Sequence, residues 1–288
     1  MTSSPAHHAG RGIVFAMLAT LCFASLDTTS QYVGKAAPVL MAIWVRFLVQ
    51  TLMMLGMLWP QRGRAMLVAR RPGWQFLRGL IMVCCASGAY IALQHVPVGE
   101  FTAIMMLIPL MVTLLASLLL HERVNVLNWL LVAGGFAGAL IVVRPKGDDF
   151  SVWLLLPLGL VVINAVYQIV TSHMVRSEDA GTTHFYTGLV GLVLTSVAMP
   201  WVWKSMDTPV LWALLVLMGL FASVGHYLLI RAFHHTPASR LTPYMYSQIA
   251  FATLGGWLVF GHTPDAWTLT GIGLITLCGI LGVRLRKA

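Results

Sequence analysis

Apolar residues run through this chain in long blocks, and the polar residues between them gather in short breaks. Ten blocks are readable: 12–33, 38–59, 74–94, 98–120, 125–143, 152–174, 183–203, 209–232, 238–260 and 266–285. Each approaches the roughly 20 residues needed to cross a hydrocarbon layer of about 30 Å. Backbone groups in such a layer must bond within their own segment, so every block is predicted to be a helix. The breaks carry turn chemistry, as in Gly34-Lys35-Ala36-Ala37-Pro38, Trp59-Pro60-Gln61-Arg62-Gly63, Arg144-Pro145-Lys146-Gly147-Asp148-Asp149 and Ser177-Glu178-Asp179-Ala180-Gly181. The first block follows Arg11 much as a secretion signal follows its basic start. It continues past Asp27 to about Val33, however, and counts as a span.

The pattern repeats. Sliding the stretch His95–Arg144 forward by 140 positions without a gap lands it on His235–Arg284. His95 then meets His235, Pro97 meets Pro237, Thr102 meets Thr242, Met105 meets Met245 and Arg144 meets Arg284. A repeat of this kind marks an internal duplication. Five spans is an odd number, so the second copy enters the membrane from the opposite side. The expected fold is an all-α integral membrane protein with ten transmembrane helices in two inverted five-helix repeats. The expected boundaries are a tail over 1–11, a first repeat over 12–144, an external linker over 145–151, a second repeat over 152–285 and a tail over 286–288. Transporters use such repeats because exchanging the shapes of the two halves turns an outward-open site into an inward-open one.

Composition agrees with the blocks. The chain is 58% hydrophobic and 9% charged, with a mean hydropathy of +0.83. A soluble domain carries about a quarter charged residues, so this chain has too few to cover a water-facing surface. The net charge of +9 does not call for a nucleic-acid partner, because the basic residues sit in short loops. With the N-terminus in the cytoplasm, 13 Lys and Arg residues fall on the cytoplasmic side and 4 on the other. Both termini are therefore expected in the cytoplasm. Cys22, Cys84, Cys85 and Cys278 all lie in apolar spans and form neither a disulfide nor a metal framework. No metal, cofactor or catalytic residue is expected; the lipid bilayer and a small-molecule substrate are the expected partners.

Polar side chains inside spans are costly and usually face the bundle interior. Ser87, Tyr90 and Gln94 share one helical face of the third span; Asn164, Tyr167, Gln168 and Thr171 do so in the sixth. Ser223, His226 and Tyr227 follow the same spacing in the eighth, and Tyr244 and Gln248 in the ninth. We read Ser87, Tyr90, Asn164, Tyr167, Gln168, Ser223, His226, Tyr244 and Gln248 as a substrate-binding set. Such strips suit a ligand with a flat apolar part and a small polar head. The competing reading is hydrogen bonding that only holds helices together. Asp27 and Arg46 lie at similar depth in adjacent spans, as an ion pair or as a gate or proton site. Glu100, at the start of the fourth span, is a third candidate charge, favoured there by the helix dipole. Pro109 and Pro243 are candidate hinges. Spans five and ten are rich in glycine and poor in polar groups. They read as a peripheral packing pair and a candidate homodimer face.

Several stretches resemble the EamA-type ten-helix drug/metabolite transporters. They are Trp44-Val45-Arg46-Phe47, Arg78-Gly79-Leu80 with Tyr90 to Pro97, Ile108-Pro109-Leu110, Leu120-His121-Glu122-Arg123-Val124 and Arg231 to Arg240. The resemblance covers essentially the whole chain and extends to the YddG-like bacterial aromatic amino-acid exporters. It implies a secondary transporter of the bacterial inner membrane exporting aromatic or neutral amino acids and related metabolites. Two departures stand out: Glu100 replaces a small or apolar residue, and Pro109 has Ile249 as its counterpart. Uptake of a vitamin or nucleoside by the same fold is the alternative direction. A membrane-embedded enzyme is disfavoured, since neither His-Glu-x-x-His nor Gly-x-Ser-x-Gly occurs.

Overall fold

Prolines and glycines set the ends of the helices in a computed structural model, which describes residues 5–119, 126–143, 151–174, 178–235 and 244–285. The described residues form α1 (Pro5–Val33), α2 (Val39–Arg62), α3 (Pro72–Ala92), α4 (Val98–Met105), α5 (Ile108–Leu119) and α6 (Val126–Val143). They continue as α7 (Leu155–Met174), α8 (Ala180–Val202), α9 (Pro209–His235), α10 (Ser247–Phe260) and α11 (Ala266–Leu285). Strands are absent among the described residues. Pro38 and Pro97 stand just before α2 and α4, and Pro72 opens α3, where a missing N–H costs nothing. Asp179 caps α8 by accepting a hydrogen bond from the Thr182 N–H at 3.0 Å. Gly261 ends α10 at a φ of 70°, which a side chain would strain.

The fourth expected span is broken into α4 and α5. Pro109 has no N–H to offer the Met105 carbonyl, and its ring would crowd that carbonyl. The backbone tightens instead, with the Leu107 N–H reaching the Ile104 carbonyl at 3.0 Å. Among the described residues six helical stretches are long and apolar enough to cross a membrane: Gly10–Val33, Val39–Leu67, Pro72–Ala92, Val152–Thr171, Gly181–Val202 and Pro209–Leu229. Four shorter apolar stretches are Val98–Val112, Trp129–Val143, Ser247–Phe260 and Ala266–Cys278.

Helices of the first half pack mostly on helices of the second. α1 lies against α9 and α10, α2 against α8 and α9, and α3 against α7 and α8. α5 lies against α7, α4 against α10, and α6 against α11. Exchanging α1, α2, α3 and α5 for their counterparts 140 residues away, α7, α8, α9 and α10, turns α1–α9 into α3–α7, α1–α10 into α5–α7 and α2–α9 into α3–α8, all of which are in this set. Among the described residues the counterparts α2 and α8, and α6 and α11, touch directly and run antiparallel, as do α4 and α10. On α2 and α8, Phe47 faces Gly191 while Leu58 faces Gly181. On α4 and α10, Val98 faces Gly256 and Gly99 faces Thr253. On α6 and α11, Gly134 faces Cys278 and Gly138 faces Gly271. The Tyr246 hydroxyl, at the entry to α10, lies 3.5 Å from the Met106 carbonyl oxygen. These two residues are themselves 140 positions apart.

Close backbone approach explains the glycines of α6 and α11. A Cβ on Gly271 would lie 2.6 Å from the Gly138 carbonyl oxygen, so the two spans touch through small residues. One apolar cluster joins Leu93, Phe101, Ile104, Leu107, Val142 and Ile249 across α4, α6 and α10. A second joins Met41, Phe47, Tyr90, Leu215 and Met218 across α2, α3 and α9.

Candidate functional site

Polar side chains converge where helices of the two halves meet. Asp27 lies on α1, six residues before its end. Its Oδ2 accepts a hydrogen bond from Gln248 Nε2 of α10 at 3.3 Å. Thr102 of α4 stands beside it, fully buried. Arg46 of α2 is 9% exposed and lies in electrostatic range of Asp27. The two do not close a salt bridge. Arg46 Nε is buried without a partner, and its guanidinium carbon lies 5.9 Å from the centre of the Phe47 ring.

A second group is built around Arg78 of α3, which is 7% exposed. Its Nε donates to Thr171 Oγ1 of α7 at 2.8 Å, and Nη1 donates to the Thr183 carbonyl of α8 at 3.1 Å and to Thr187 Oγ1. The guanidinium lies over the Tyr167 ring, 4.6 Å from its centre, a cation–π contact in a site with little water. One residue beyond Thr183, the His184 ring stacks on His226 of α9 with centres 5.6 Å apart. Phe23 of α1 meets the His226 ring edge-on at 4.9 Å. His226 Nδ1 lies 2.7 Å from the Ala222 carbonyl. A carbonyl only accepts, so Nδ1 carries the hydrogen. Gln50 Nε2 of α2 donates to the His184 carbonyl at 3.2 Å, while His184 Nε2 is buried without a partner.

The structure separates the residues the spacing had grouped. Gln248 and Asp27 are bonded; Tyr167 and His226 belong to the Arg78 group. Ser223 is fully buried with an unbonded hydroxyl, and half-buried Ser87 has an unbonded hydroxyl too. Tyr90 is 2% exposed and donates to the Ala37 carbonyl at 3.1 Å, which makes it an anchor of the apolar core. Asn164 turns back to the Leu160 carbonyl of its own helix at 2.9 Å. Gln168 is exposed, as is Tyr244. Glu100 is half-buried in the first turn of α4, and Pro109 is the second residue of α5. Pro243 lies outside the described residues. Arg78, on the cytoplasmic side in the charge split and within the third block 74–94, is inside a helix that starts at Pro72, about 9 Å from its start. The proline at that position was the available signal. His184 is the other residue the spacing missed, hidden in the first turns of the seventh span.

Both ends of the bundle carry ties between the halves. At one end Arg62 pairs with Asp179, and the Arg71 N–H donates to Glu178 Oε1 at 2.6 Å. Partial burial works against the Asp179 carboxylate, but Arg62 and the Thr182 N–H outweigh it and hold the carboxyl below its ordinary value. At the other end Lys204 Nζ donates to the Ala36 carbonyl at 3.1 Å, and the His95 and Trp153 rings stack at 3.7 Å. Among the described residues no three His, Cys, Asp or Glu side chains gather as metal ligands. A groove of about 600 Å³ between α10 and α11 is lined by apolar groups such as Ile249, Trp257, Leu269 and Ile272. It offers no charged group and is separate from the polar centre.

The model of the EamA-like transporter family matches residues 10–144 and again residues 151–285. A riboflavin transporter of Vibrio cholerae is 26% identical over 94% of this chain and 92% of its own length. An S-adenosylmethionine uptake transporter of Rickettsia bellii is 27% identical over 92% and 90%. The pseudopaline exporter CntI of Pseudomonas aeruginosa is 27% identical over 96% and 97%. A solved crystal structure shares the fold with a TM-score of 0.67, at 17% identity, over 96% of this chain and 99% of that one. With the family matched twice, and across nearly its whole length, this chain belongs to the EamA-like transporter family and is a multi-pass membrane transporter, not an enzyme.

Proposed function

We propose that the chain is a secondary transporter of a bacterial inner membrane that exports small ring-bearing metabolites by alternating access, aromatic and neutral amino acids among them. In this reading it spans the membrane ten times, as two inverted five-helix repeats with both termini in the cytoplasm. The antiparallel pairing of the counterparts α2 with α8 and α6 with α11 supports the inversion. Inversion gives the mechanism directly, because each half can adopt the shape of the other and move the opening from one face to the other.

The carrying observation is the polar centre shared between the halves, with Asp27, Arg46 and Arg78 from one and Tyr167, His184, His226 and Gln248 from the other. Rings such as Tyr167, Phe23 and His226 offer stacking surfaces, and the charges and amides hold a polar head. Relatives named for riboflavin and S-adenosylmethionine, both ring-bearing metabolites, support that solute class. Uptake is the second reading, favoured by relatives named as uptake transporters. The test is flux in proteoliposomes of purified protein, with phenylalanine, tryptophan, riboflavin and S-adenosylmethionine, under gradients of both directions. Gradient-driven flux of at least one ring-bearing solute is expected; protein-independent flux for all of them overturns the proposal.

A further inference from the structure

We infer that the buried lobe formed by Arg78, His184 and His226 is an anion subsite that selects substrates bearing a carboxylate. This rests on the transport reading above and names the chemistry of its substrate. The lobe is positive and uncompensated. Among the described residues Arg78 bonds to neutral oxygens, those of Thr171, Thr183 and Thr187. Both arginine charges lie in electrostatic range of His184 and His226, and no carboxylate is among the groups acting on either imidazole. Asp27, the acid of the polar centre, is on the Gln248 side and acts on Arg46.

The lobe also has open donor capacity. His184 is 5% exposed, and its Nε2 is buried without a partner. Arg46 is 9% exposed with an unpartnered Nε, and Ser223, one helical turn before His226, is fully buried with an unbonded hydroxyl. Unmade hydrogen bonds at buried polar groups are costly, and a native structure keeps them where something else supplies the partner. A charge buried without a counter-ion is costlier still. A carboxylate entering this lobe meets the Arg78 guanidinium and, with His184 as its Nε2–H tautomer, an imidazole N–H, with the Tyr167 and Phe23 rings nearby for its apolar part. Charge-assisted bonds of this kind discriminate an acid from its neutral analogue by about tenfold or more.

The test is binding to the purified full-length protein in detergent, by titration of intrinsic fluorescence. The probes are 3-phenylpropionate and 3-phenylpropanamide, which share ring and chain and differ in charge. Acetate and chloride serve as ring-free anions. The acid is expected to bind at least about tenfold more tightly than the amide, and more tightly than either ring-free anion. Arg78→Gln and His184→Asn are each expected to bring the acid-to-amide ratio close to one, and Arg78→Lys to keep part of it. Should Arg78→Gln fail to fold, His184→Asn reads the same ratio. Equal binding of acid and amide, no binding of the acid, an unchanged ratio in the folded variants, or acetate matching phenylpropionate would overturn the assignment. A protein that prefers the acid yet moves no solute in liposomes sinks the transport reading alone. One that moves ring solutes without regard to charge sinks the subsite alone.

Discussion

Replacing Gln248 by leucine tests whether the two halves are joined through Asp27. Gln248 is 8% exposed, and leucine nearly fills the same volume, so packing is kept and one hydrogen bond is lost. A bond to a charged acceptor contributes about 1.5–3 kcal/mol. At 3.3 Å it is longer than the usual distance of about 2.9–3.0 Å, which puts it near the low end. Leaving the carboxylate with one donor fewer adds to the cost, so a loss of about 2 kcal/mol is expected. That corresponds to a Tm lower by roughly 4–8 °C in detergent. Gln248→Leu combined with Asp27→Asn should show a coupling of about 1–2 kcal/mol in a double-mutant cycle. Initial flux in proteoliposomes should fall by at least about tenfold, equivalent to ~1.4 kcal/mol on the barrier. A Gln248→Leu protein with wild-type Tm and flux, and an additive cycle, refutes the link.

Asp179→Ala removes a helix cap and the partner of Arg62, and should cost about 1 kcal/mol, read as Tm. Its carboxyl is held below the ordinary value when folded, so its stabilisation is present above about pH 4 and disappears as pH falls through the folded value; the wild-type–variant gap in Tm should shrink there. Gly191→Val drives a methyl into the Phe47 ring, since a Cβ there would lie 2.6 Å from it, and should cost about 1–3 kcal/mol by Tm. Gly159→Ala, with open space around the added Cβ, should be neutral or gain up to about 1 kcal/mol in the same measurement. Tyr244→Ala, on an exposed ring, should cut flux while leaving expression and Tm unchanged; undiminished flux removes Tyr244 from the solute path.

Much of the fold is readable from the apolar blocks, because a bilayer leaves helices as the available spanning shape and proline marks their starts. The 140-residue offset is legible too, and Met106 and Tyr246, which stand at that offset, are in contact. The site is less legible. Helical spacing places Tyr90 with Ser87 and Gln94 on one face, but it does not say whether that face meets the polar centre or the apolar core. In the structure Tyr90 meets the core. Gln168 shares a stripe with Asn164 and Tyr167, yet a stripe several residues wide extends from the interior to the outside of the bundle. Arg78 stands near the end of the third apolar block, where an arginine can equally reach out to the cytoplasmic side, but three threonines from two other helices receive it inside. Those threonines lie more than 90 residues away in sequence, and no local pattern connects them to it.

Positions 64 and 204 give the most direct test of the inverted halves. They are counterparts at the 140-residue offset, both are exposed, and they lie just beyond the ends of α2 and α8. Single cysteines placed there, as Arg64→Cys and Lys204→Cys in a background without Cys22, Cys84, Cys85 and Cys278, can be labelled with a membrane-impermeant maleimide on intact cells and on inside-out vesicles. Labelling of the two positions from opposite faces is the predicted result. Labelling of both from the same face would mean that the halves are related along the membrane normal, and the alternating-access account would fall.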